Sequence, residues 1–418
     1  MSSILILNKR SLRGYPYHEW LRDDPRPKVL LTARQIHEEY REDLADFAPF
    51  YATIEQFDAY NVNGDIELRA LELHERLGFE RILANFEFDL PRAARLREQL
   101  GLPGQSVASA HAFRDKVAMK DLCRARGLAV GEYRRARSAT DILEFVAAHG
   151  YPVVVKPANG GASLDTHVLR GDADLRALLE RGLVPRFDFV PNLIVERFVP
   201  GEMYHVDGLV VDGEIALVWP SRYINNTLSF KDDVALGSLT LDPGTRLTER
   251  LREFTRGVLA ALPTPPTTTF HAEVFHTPAD ELVLCEVASR TGGAKVATTL
   301  ELAFGIDINE AWYRALCGLP LAKSPSELAG SGPNGAAGWH LIFPRPGELR
   351  TAPAACPLPG IVDYALLAQP GQRLAAAYHS TDTLASFVVQ GADAAEVRAR
   401  IANAERWFLE RLEIAAAV

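Results

Sequence analysis

The stretch that decides the fold runs from Thr268 to Val296 and reads TTFHAEVFHTPADELVLCEVASRTGGAKV. Apolar and polar residues alternate on both sides of Pro278–Glu281, whose composition is typical of a turn. The pattern predicts a β-hairpin in which Thr277 opposes Leu282. Two antiparallel strands joined by a four-residue turn are therefore expected here.

In this register Glu273 faces Glu286 directly across the strands, with the two Cβ atoms about 5 Å apart. Like charges placed so closely destabilise a hairpin unless a cation lies between them, and Mg²⁺ is the natural candidate because it binds carboxylates together with substrate phosphates. A glutamate turned to solvent, or a register shifted by one residue, are the alternatives. Strand alternation puts Arg290 on the face of Glu286, where it could stabilise a phosphoryl group or an oxyanion, or serve as a structural partner of the two glutamates.

A second informative stretch, GYPVVVKPANGGAS, spans Gly150–Ser163 and predicts a buried strand, a lysine and a small-residue loop. Backbone N–H groups of such a loop can cradle phosphates, and Lys156 can reach the same charge. The P-loop pattern GxxxxGK[ST] is absent. Lys116 begins the run KVAMK in a predicted amphipathic helix over Phe113–Arg126, and taken alone it is expected to be a helix-surface charge.

The segment LIVERFVPGE, Leu193–Glu202, predicts a buried strand that enters a loop. Apolar walls and a few acceptors are what a purine site needs, and Glu196, Phe198, Val199 and Glu202 could supply them. An ordinary strand and loop with surface glutamates explains the segment equally well.

The first hundred or so residues alternate between strand and helix signals, which predicts a small parallel sheet with helices on its faces. The predicted elements are the strands Ser3–Leu7, Lys28–Thr32 and Arg81–Ala84 and the helices Ile66–Leu77 and Pro91–Leu100. No GxGxxG follows the first strand, so a dinucleotide site is unsupported.

The composition excludes several classes of protein. A chain of 418 residues predicts two to four packed units. A net charge of -9 argues against a nucleic-acid partner. The sequence contains no run of about eighteen apolar residues, so a membrane span is not expected. The N-terminus is predicted to be a strand and not a signal peptide. The four cysteines lack zinc spacing, so buried thiols in a reducing cytoplasm are expected.

Taken together, the motifs RDKxxMK, GYPVVVKP, VERFVPGE, FHAE and CEVASRTGG resemble the ATP-grasp superfamily over roughly residues 113–296. The resemblance implies a fold of α/β and α+β units with a small N-terminal parallel-sheet domain, two α+β grasp subdomains and a C-terminal α+β domain. The expected boundaries are 1–112, 113–200, 201–320 and 338–418, with a linker over Pro320–Gly338.

The resemblance also implies roles for the site residues. Lys116 and Lys156 would contact the ATP phosphates, and Glu273 and Glu286 would bind Mg²⁺. Arg290 would stabilise the acyl phosphate and the tetrahedral intermediate. The remaining ATP contacts are expected from the flexible loop, the adenine strand and the ribose position, namely Gly160, Gly161, Ser163, Glu196, Phe198, Val199 and Glu202.

Within the superfamily the chain is most similar to amino-acid (dipeptide) ligases, including carnosine-synthase-like enzymes. These activate a carboxylate as an acyl phosphate with ATP and capture it with an amine. The cofactors expected are ATP with one or two Mg²⁺ ions, or Mn²⁺ in their place. The number of ions stays open because Ala288 stands where many members have an asparagine ligand. Amino-acid substrates are expected, and a homodimer is the default assembly for this fold.

Other interpretations remain open at this level. A carboxylase or purine-pathway enzyme would use the same scaffold, and a non-catalytic ATP-binding regulator is a different class; a dinucleotide oxidoreductase fits least. His205 and His271 are expected to be structural, although His271 could touch substrate or metal. Arg222 and Lys231 are candidate triphosphate or substrate contacts, and Lys295 could meet a substrate carboxylate or lie on the surface.

Overall fold

The computed structural model of this protein describes residues 2–183, 190–380 and 382–416. Its N-terminal part alternates strands and helices. The elements are β1 (Ser3–Asn8), α1 (Tyr17–Trp20), β2 (Lys28–Ala33), α2 (Arg34–Glu39), β3 (Thr53–Phe57), α3 (Asp65–Leu77), β4 (Phe79–Ala84), α4 (Asp89–Leu100) and α5 (Val107–Arg114).

The N-terminal sheet is parallel, with the strand order β3-β2-β1-β4. Every residue of β1 is buried, which is the expected state of a central parallel strand covered by helices on both faces. The predicted parallel sheet is therefore confirmed. The sequence prediction missed β3 because this edge strand, TIEQF, is only half-buried and carries two polar residues in a row.

The predicted helix over Phe113–Arg126 is two helices, α5 and α6 (Lys116–Ala125). They separate at Asp115, whose backbone is extended and whose carboxylate accepts hydrogen bonds from the N–H groups of Val117 and Ala118. An aspartate in this position caps a helix N-terminus. The prediction of one continuous helix was wrong because the spacing of apolar residues gives no information about a side chain that caps a helix.

A four-stranded antiparallel sheet follows, with the order β5-β8-β6-β7. Its elements are β5 (Tyr133–Ala136), α7 (Ala139–His149), β6 (Val153–Pro157), β7 (His167–Leu169), α8 (Asp172–Arg181) and β8 (Leu193–Arg197). Helix α7 begins with a complete capping box between Ser138 and Asp141. The backbone N–H of Lys116 donates to the carbonyl of Ala158, so the start of α6 is fastened to the loop after β6.

The largest sheet has eight antiparallel strands in the order β13-β12-β9-β10-β11-β14-β18-β16. Its first part comprises β9 (Glu202–Val211), β10 (Glu214–Tyr223), β11 (Leu236–Thr240), α9 (Arg246–Ala261), β12 (Thr268–His276), β13 (Leu282–Ala288), α10 (Val296–Phe304) and α11 (Ile308–Leu316). The sheet continues without a break into the C-terminal part, because β11 pairs with β14.

The C-terminal elements are α12 (Pro325–Gly330), β14 (Ala336–Ile342), β15 (Gly347–Thr351), β16 (Ile361–Leu366), β17 (Arg373–Leu374), β18 (Ala385–Gly391), α13 (Ala394–Leu409) and β19 (Glu413–Ala415). Helix α12 lies inside the predicted linker and begins with a capping box at Ser324. Among the described residues, no helix combines the length and apolar character that a membrane crossing needs. The boundaries of the four predicted domains stay a prediction.

Candidate functional site

A cavity of about 900 Å³ is lined by residues of the four-stranded antiparallel sheet (β5-β8-β6-β7) and of the eight-stranded sheet. Twelve of the thirteen residues predicted for the site are among those that line it: Lys116, Lys156, Gly160, Gly161, Ser163, Glu196, Phe198, Val199, Glu202, Arg222, Glu273 and Glu286. The thirteenth, Arg290, lies outside this lining. The geometry thus brings together segments that are far apart in the chain, while the roles of the individual residues stay predictions.

The hairpin of β12 and β13 places Glu273 directly opposite Glu286, as predicted. The predicted turn was wrong by one residue, because His276 opposes Leu282 and the connecting loop is Thr277–Glu281. A β-bulge after Glu273 compensates for the difference. A bulge sets two residues of one strand against one of its partner, so the register recovers before the two glutamates.

The extra residue of the bulge is Cys285, which is buried beside the two carboxylates. Its Sγ and one carboxylate oxygen each from Glu273 and Glu286 lie within 4.8 Å of one another. Burial raises the pKa of the Cys285 thiol to about 12, so the thiol is neutral at physiological pH. Strict alternation cannot predict a bulge, and the sequence analysis therefore missed Cys285.

Lys116 connects the small-residue loop to the metal-binding candidate Glu286. Its Nζ lies 3.1 Å from Oε2 of Glu286 and donates a 2.8 Å hydrogen bond to the carbonyl of Gly160. The side chain is buried, so the prediction of a helix-surface charge was wrong. The cap that breaks the helix before it explains the difference, since the first residue of α6 points into the interface and not along an exposed face.

Glu196 lies between two buried lysines. Its carboxylate oxygens are 2.8 Å from Nζ of Lys120 and 2.7 Å from Nζ of Lys156. Burial would raise the pKa of Glu196, but the two ammonium groups outweigh it and lower the pKa to about 2. Burial would likewise lower the pKa of Lys156, and the charges of Glu196 and Glu286 raise it well above its ordinary value.

The sequence analysis assigned no role to Lys120. Its Nζ also donates a 3.1 Å hydrogen bond to the carbonyl of Leu284, so it joins α6, β8 and β13. One signal was available, because Lys120 stands four residues after Lys116 and therefore on the same side of the helix.

Two other predicted contacts in the cavity lining, Glu202 and Arg222, interact with each other. Glu202 forms an ion pair with Arg222 and accepts a 2.7 Å hydrogen bond from Oη of Tyr204. Lys231, from the connection between β10 and β11, donates a 2.5 Å hydrogen bond to the carbonyl of Thr166. This places an additional cation beside the loop that follows Lys156.

Arg290 does not pair with the two hairpin glutamates. Strand β13 ends at Ala288, so the alternation used to predict its direction no longer applies there. Its Nε donates to Glu87, whose other oxygen accepts from Arg114. Although burial raises the pKa of Glu87, the two arginines lower it to about 2. Lys295 forms an ion pair of 2.8 Å with Asp363 on the edge strand β16.

A group of buried polar side chains on β9, β10 and β12 lies next to Glu273. Oη of Tyr223 donates a 3.0 Å hydrogen bond to Oε1 of Glu273. Beside it, Asp207 binds Nδ1 of both His205 and His271, the second at 2.7 Å. Burial would lower the pKa of His271, but Asp207 and Glu273 raise it to about 10. We call His205, Asp207 and His271 the histidine–aspartate network.

Comparison with known proteins gives two kinds of match. Residues 339–407 match the family model described as L-amino acid ligase C-terminal domain 2. A curated relative, the L-arginine-specific L-amino acid ligase of Bacillus subtilis, is 26% identical over 234 residues, which is 56% of each chain. The alignments with this and the next curated relatives cover from a third to just over half of those proteins' own lengths.

Solved structures match over the whole length. The L-amino acid ligase of Bacillus licheniformis is 16% identical, with a TM-score of 0.78 and coverage of 100% of this chain and 99% of that one. The biotin carboxylase domain of Hydrogenobacter thermophilus 2-oxoglutarate carboxylase, solved with MgADP, ADP and bicarbonate, is 15% identical, with a TM-score of 0.69 and coverage of 99% and 91%. The resemblance inferred from the sequence is confirmed: the chain has the ATP-grasp fold, and its residues 339–407 match a C-terminal domain of the L-amino acid ligases.

Proposed function

We propose that this protein is an ATP- and Mg²⁺-dependent ligase that joins the carboxylate of one amino acid to the amine of another through an acyl phosphate. One observation carries the proposal. Three buried lysines and two directly opposed glutamates line a single cavity large enough for a nucleotide. Such a set is suited to phosphoryl transfer, where catalysis is mostly positioning and electrostatic stabilisation.

The lysines are the proposed phosphate ligands. Lys116 and Lys156 line the cavity together with the small-residue loop, and each forms an ion pair with a carboxylate, Lys116 with Glu286 and Lys156 with Glu196. Triphosphate oxygens would take the place of those carboxylates as the partners of the two ammonium groups. Lys120 would remain with Glu196, so the carboxylate keeps one buried counter-charge when Lys156 turns to the phosphates.

The adenine and ribose contacts are proposed for the strand β8 and the loop that follows it. Phe198 and Val199 contribute apolar surface to the cavity, and Glu202 lines it as well. Apolar walls with a few convergent polar groups are the usual composition of a small-molecule site. The ion pair between Glu202 and Arg222 would open or rearrange when a ribose hydroxyl binds Glu202.

The carboxylates fit a divalent cation. Glu273 and Glu286 offer oxygen ligands from directly opposed positions, and oxygen ligands are those that Mg²⁺ prefers. When bound, the ion would supply charge neutralisation at the transferring phosphoryl group. Tyr223 holds Glu273 through its Oη, which orients that carboxylate towards the cavity.

Arg290 is the proposed catalytic residue. Among the described contacts, Glu87 and the carbonyl of Thr291 use its Nε and Nη1, so Nη2 keeps donors for a substrate oxygen. A fixed guanidinium of this kind stabilises charge that develops in the transition state. Glu87 would thus be a positioning residue that holds the arginine in place.

The reaction needs no nucleophilic side chain. A substrate carboxylate oxygen attacks the γ-phosphorus of ATP, an acyl phosphate forms and ADP leaves. The neutral amine of the second substrate then attacks the acyl carbon, and Arg290 stabilises the oxyanion. The amide forms as the C–O bond to phosphate breaks, and the proton that the nitrogen loses leaves with the phosphate. Lys116 and Lys156 neutralise the phosphate charge in both steps.

Amino acids are favoured over bicarbonate as substrates by the match of residues 339–407 to an L-amino acid ligase domain. The carboxylases among the structural neighbours share the fold at about 15% identity, which carries no choice of substrate. A regulator that only senses ATP has no need for two facing glutamates and Arg290 together.

The test is ADP and phosphate release from MgATP, screened over pairs of amino acids, with mass spectrometry of the products. We expect release that requires a substrate pair, yields a condensed mass and is lost in Glu286→Gln. Glu281→Gln, an exposed glutamate on the same hairpin, is the matched control and should keep activity. Turnover stimulated only by bicarbonate or a nucleotide precursor would overturn the amino-acid assignment, and tight ATP binding without any turnover would favour the regulator.

A further inference from the structure

The carboxyl end of the N-terminal parallel sheet has the topology of a ligand site. The strand order β3-β2-β1-β4 changes direction between β1 and β4. In open α/β sheets, ligands bind in the crevice outside the carboxyl ends of the strands at such a point. The two segments that bound it here are residues 9–16, which follow β1, and residues 85–88, which follow β4.

Asn85 is buried at this end of the sheet without a hydrogen-bond partner. It is 5% exposed, and neither its Nδ2 nor its Oδ1 has a partner among the described residues. Asn8, at the end of the adjacent strand β1, differs, because both ends of its side-chain amide are hydrogen-bonded. Buried polar groups in native proteins are almost always paired, so an unpaired amide at a crevice indicates a group that a ligand satisfies.

Arg10 reaches the same place from the segment after β1. Its Cζ lies 5.4 Å from the centre of the Phe86 ring and 5.6 Å from that of Tyr15. Within the described part of the chain no carboxylate pairs with it, and its Nε is sealed from water without a hydrogen-bond partner although the side chain as a whole is only partly buried. Aromatic faces hold a guanidinium by its plane and leave its N–H edge for a carboxylate, which it binds with two parallel hydrogen bonds.

The backbone that carries Arg10 is fixed by buried side chains. Asn8 donates from Nδ2 to the carbonyl of Arg10 at 2.7 Å and accepts from its N–H at 3.0 Å. The carboxylate of Glu42 accepts from Oγ of Ser11 at 2.6 Å and from the next two backbone N–H groups. Glu42 is thus occupied by the loop, and a binding residue held in this way loses little conformational freedom when a ligand arrives.

The same two segments adjoin the proposed catalytic arginine. Phe86 precedes Glu87, which accepts a hydrogen bond from Nε of Arg290. Burial would lower the pKa of Arg290, but Glu87 raises it. Glu286 and Tyr15 act in the same direction, so the proposed metal carboxylate and the loop after β1 both lie within electrostatic reach of this guanidinium.

The carboxylate that suits Arg10 is not the one that the reaction activates. The activated carboxylate must reach the γ-phosphate, and the lysines proposed for the phosphates line the nucleotide cavity. Arg10 and Asn85 are outside that lining. A ligase that joins two amino acids leaves the α-carboxylate of the amine substrate unreacted, and an acidic side chain would be unreacted as well.

We propose that Arg10 and Asn85 form a subsite for a substrate carboxylate that remains free in the product. The guanidinium edge of Arg10 would bind the carboxylate, and Asn85 would supply one further donor and one acceptor to the same substrate. The proposal rests on the proposed function, because the substrates are taken to be amino acids. The α-carboxylate of the amine substrate and an acidic side chain share this chemistry, and the experiment distinguishes them.

The test uses the full chain with MgATP and the pair of amino acids that it joins fastest. The amine substrate is supplied as the free acid and as its α-carboxamide, which removes the charge at nearly constant shape. We expect amidation to lower kcat/KM of the wild-type protein by about 10–100-fold, mainly through KM, as for other hydrogen bonds to a charged group. Arg10→Met should lower kcat/KM for the acid by a similar factor and change that for the amide little.

The same comparison identifies the source of the carboxylate. Where a substrate is aspartate or glutamate, its side-chain amide analogue is tested in the same way, and dependence of that change on Arg10 assigns the side chain. Arg13→Met is the matched control, since Arg13 is exposed on the same loop, and it should leave the preference for the acid intact. Equal effects of Arg10→Met on every acid and its amide would overturn the proposal.

Asn85 gives an independent readout. Asn85→Leu keeps the approximate volume and removes the two unpaired polar atoms. We expect KM for the substrate with the free carboxylate to rise, while the free energy of unfolding in urea stays the same or increases, because no protein partner is lost. Lower stability with an unchanged KM would show that Asn85 is structural and would remove it from the subsite.

Thermal unfolding separates this inference from the proposed function. Each of the standard amino acids is added in turn as a probe to the protein with MgADP. We expect at least one of them to raise the Tm of the wild-type protein, and Arg10→Met to lose that rise while keeping the rise caused by MgADP alone. This result without turnover of any pair would leave the subsite and remove the ligase. Turnover that does not depend on Arg10 would leave the ligase and remove the subsite, and absence of both the rise and turnover would remove both.

Discussion

Replacement of Glu196 by glutamine should destabilise the protein far more than its size suggests. Its carboxylate lies within 2.8 Å of the ammonium groups of both Lys120 and Lys156, and all three side chains are nearly inaccessible to water. Glutamine keeps the shape but removes the charge. The buried ammonium groups of Lys120 and Lys156 would then lose the carboxylate that both of them contact.

The magnitude follows from the pKa of Glu196. It falls from 4.5 to about 2 because Lys120 and Lys156 outweigh the effect of burial, and that difference corresponds to about 3 kcal/mol in favour of the charged form. Removing one partner of a buried ion pair costs a similar amount, about 3–5 kcal/mol. Because the folded pKa lies below the unfolded value, this stability is present above pH 4.5 and is lost as the pH falls towards about 2.

The assay is urea denaturation at pH 7 and at pH 3, followed by far-ultraviolet circular dichroism. We expect Glu196→Gln to lose about 3 kcal/mol at pH 7 and to approach the wild-type protein at the lower pH. Glu144→Gln is the matched control, because Glu144 pairs with Arg134 at an exposed site and should change stability by less than about 0.5 kcal/mol. A loss at Glu196 no larger than that of the control would show that water already solvates the two lysines.

Three further predictions concern the cavity and its surroundings. Gly292→Ala should lower the free energy of unfolding in urea by about 1–3 kcal/mol, because the added methyl group would lie 2.7 Å from Nδ1 of His271 and 2.9 Å from Oδ1 of Asp207. ATP at about 100 times its Kd should stabilise the protein by about 2.7 kcal/mol in thermal unfolding, and Lys156→Met should remove most of that gain. Iodoacetamide at pH 7 should label Cys356 and leave Cys285 unmodified by mass spectrometry, because burial raises the pKa of the Cys285 thiol to about 12.

Several elements were predictable because they depend on residues close in the sequence. The alternation around the turn predicted that Glu273 faces Glu286, even though the loop is one residue longer than expected. The buried strand before Lys156 and the parallel N-terminal strands follow from apolar runs, which bury both faces of a strand.

Other features needed the packed structure. The split of the predicted helix at Asp115 came from a side-chain cap, and the cap turned Lys116 into the interior. The bulge that puts Cys285 beside the glutamates compensates for a loop length that periodicity does not encode.

The sequence by itself determined the two strands that carry the proposed metal carboxylates, the strand β6 that carries Lys156, and the order of the motifs along the chain. These features follow from alternation and apolar runs among residues that are close in the sequence. Only the tertiary structure decided the charge partners: Glu87 for Arg290, Lys120 for Glu196 and Asp207 for His271. Two of these pairs join residues separated by 64 and 203 positions. A buried charge takes whichever opposite charge the packing brings within reach, and no spacing rule in the chain encodes that choice.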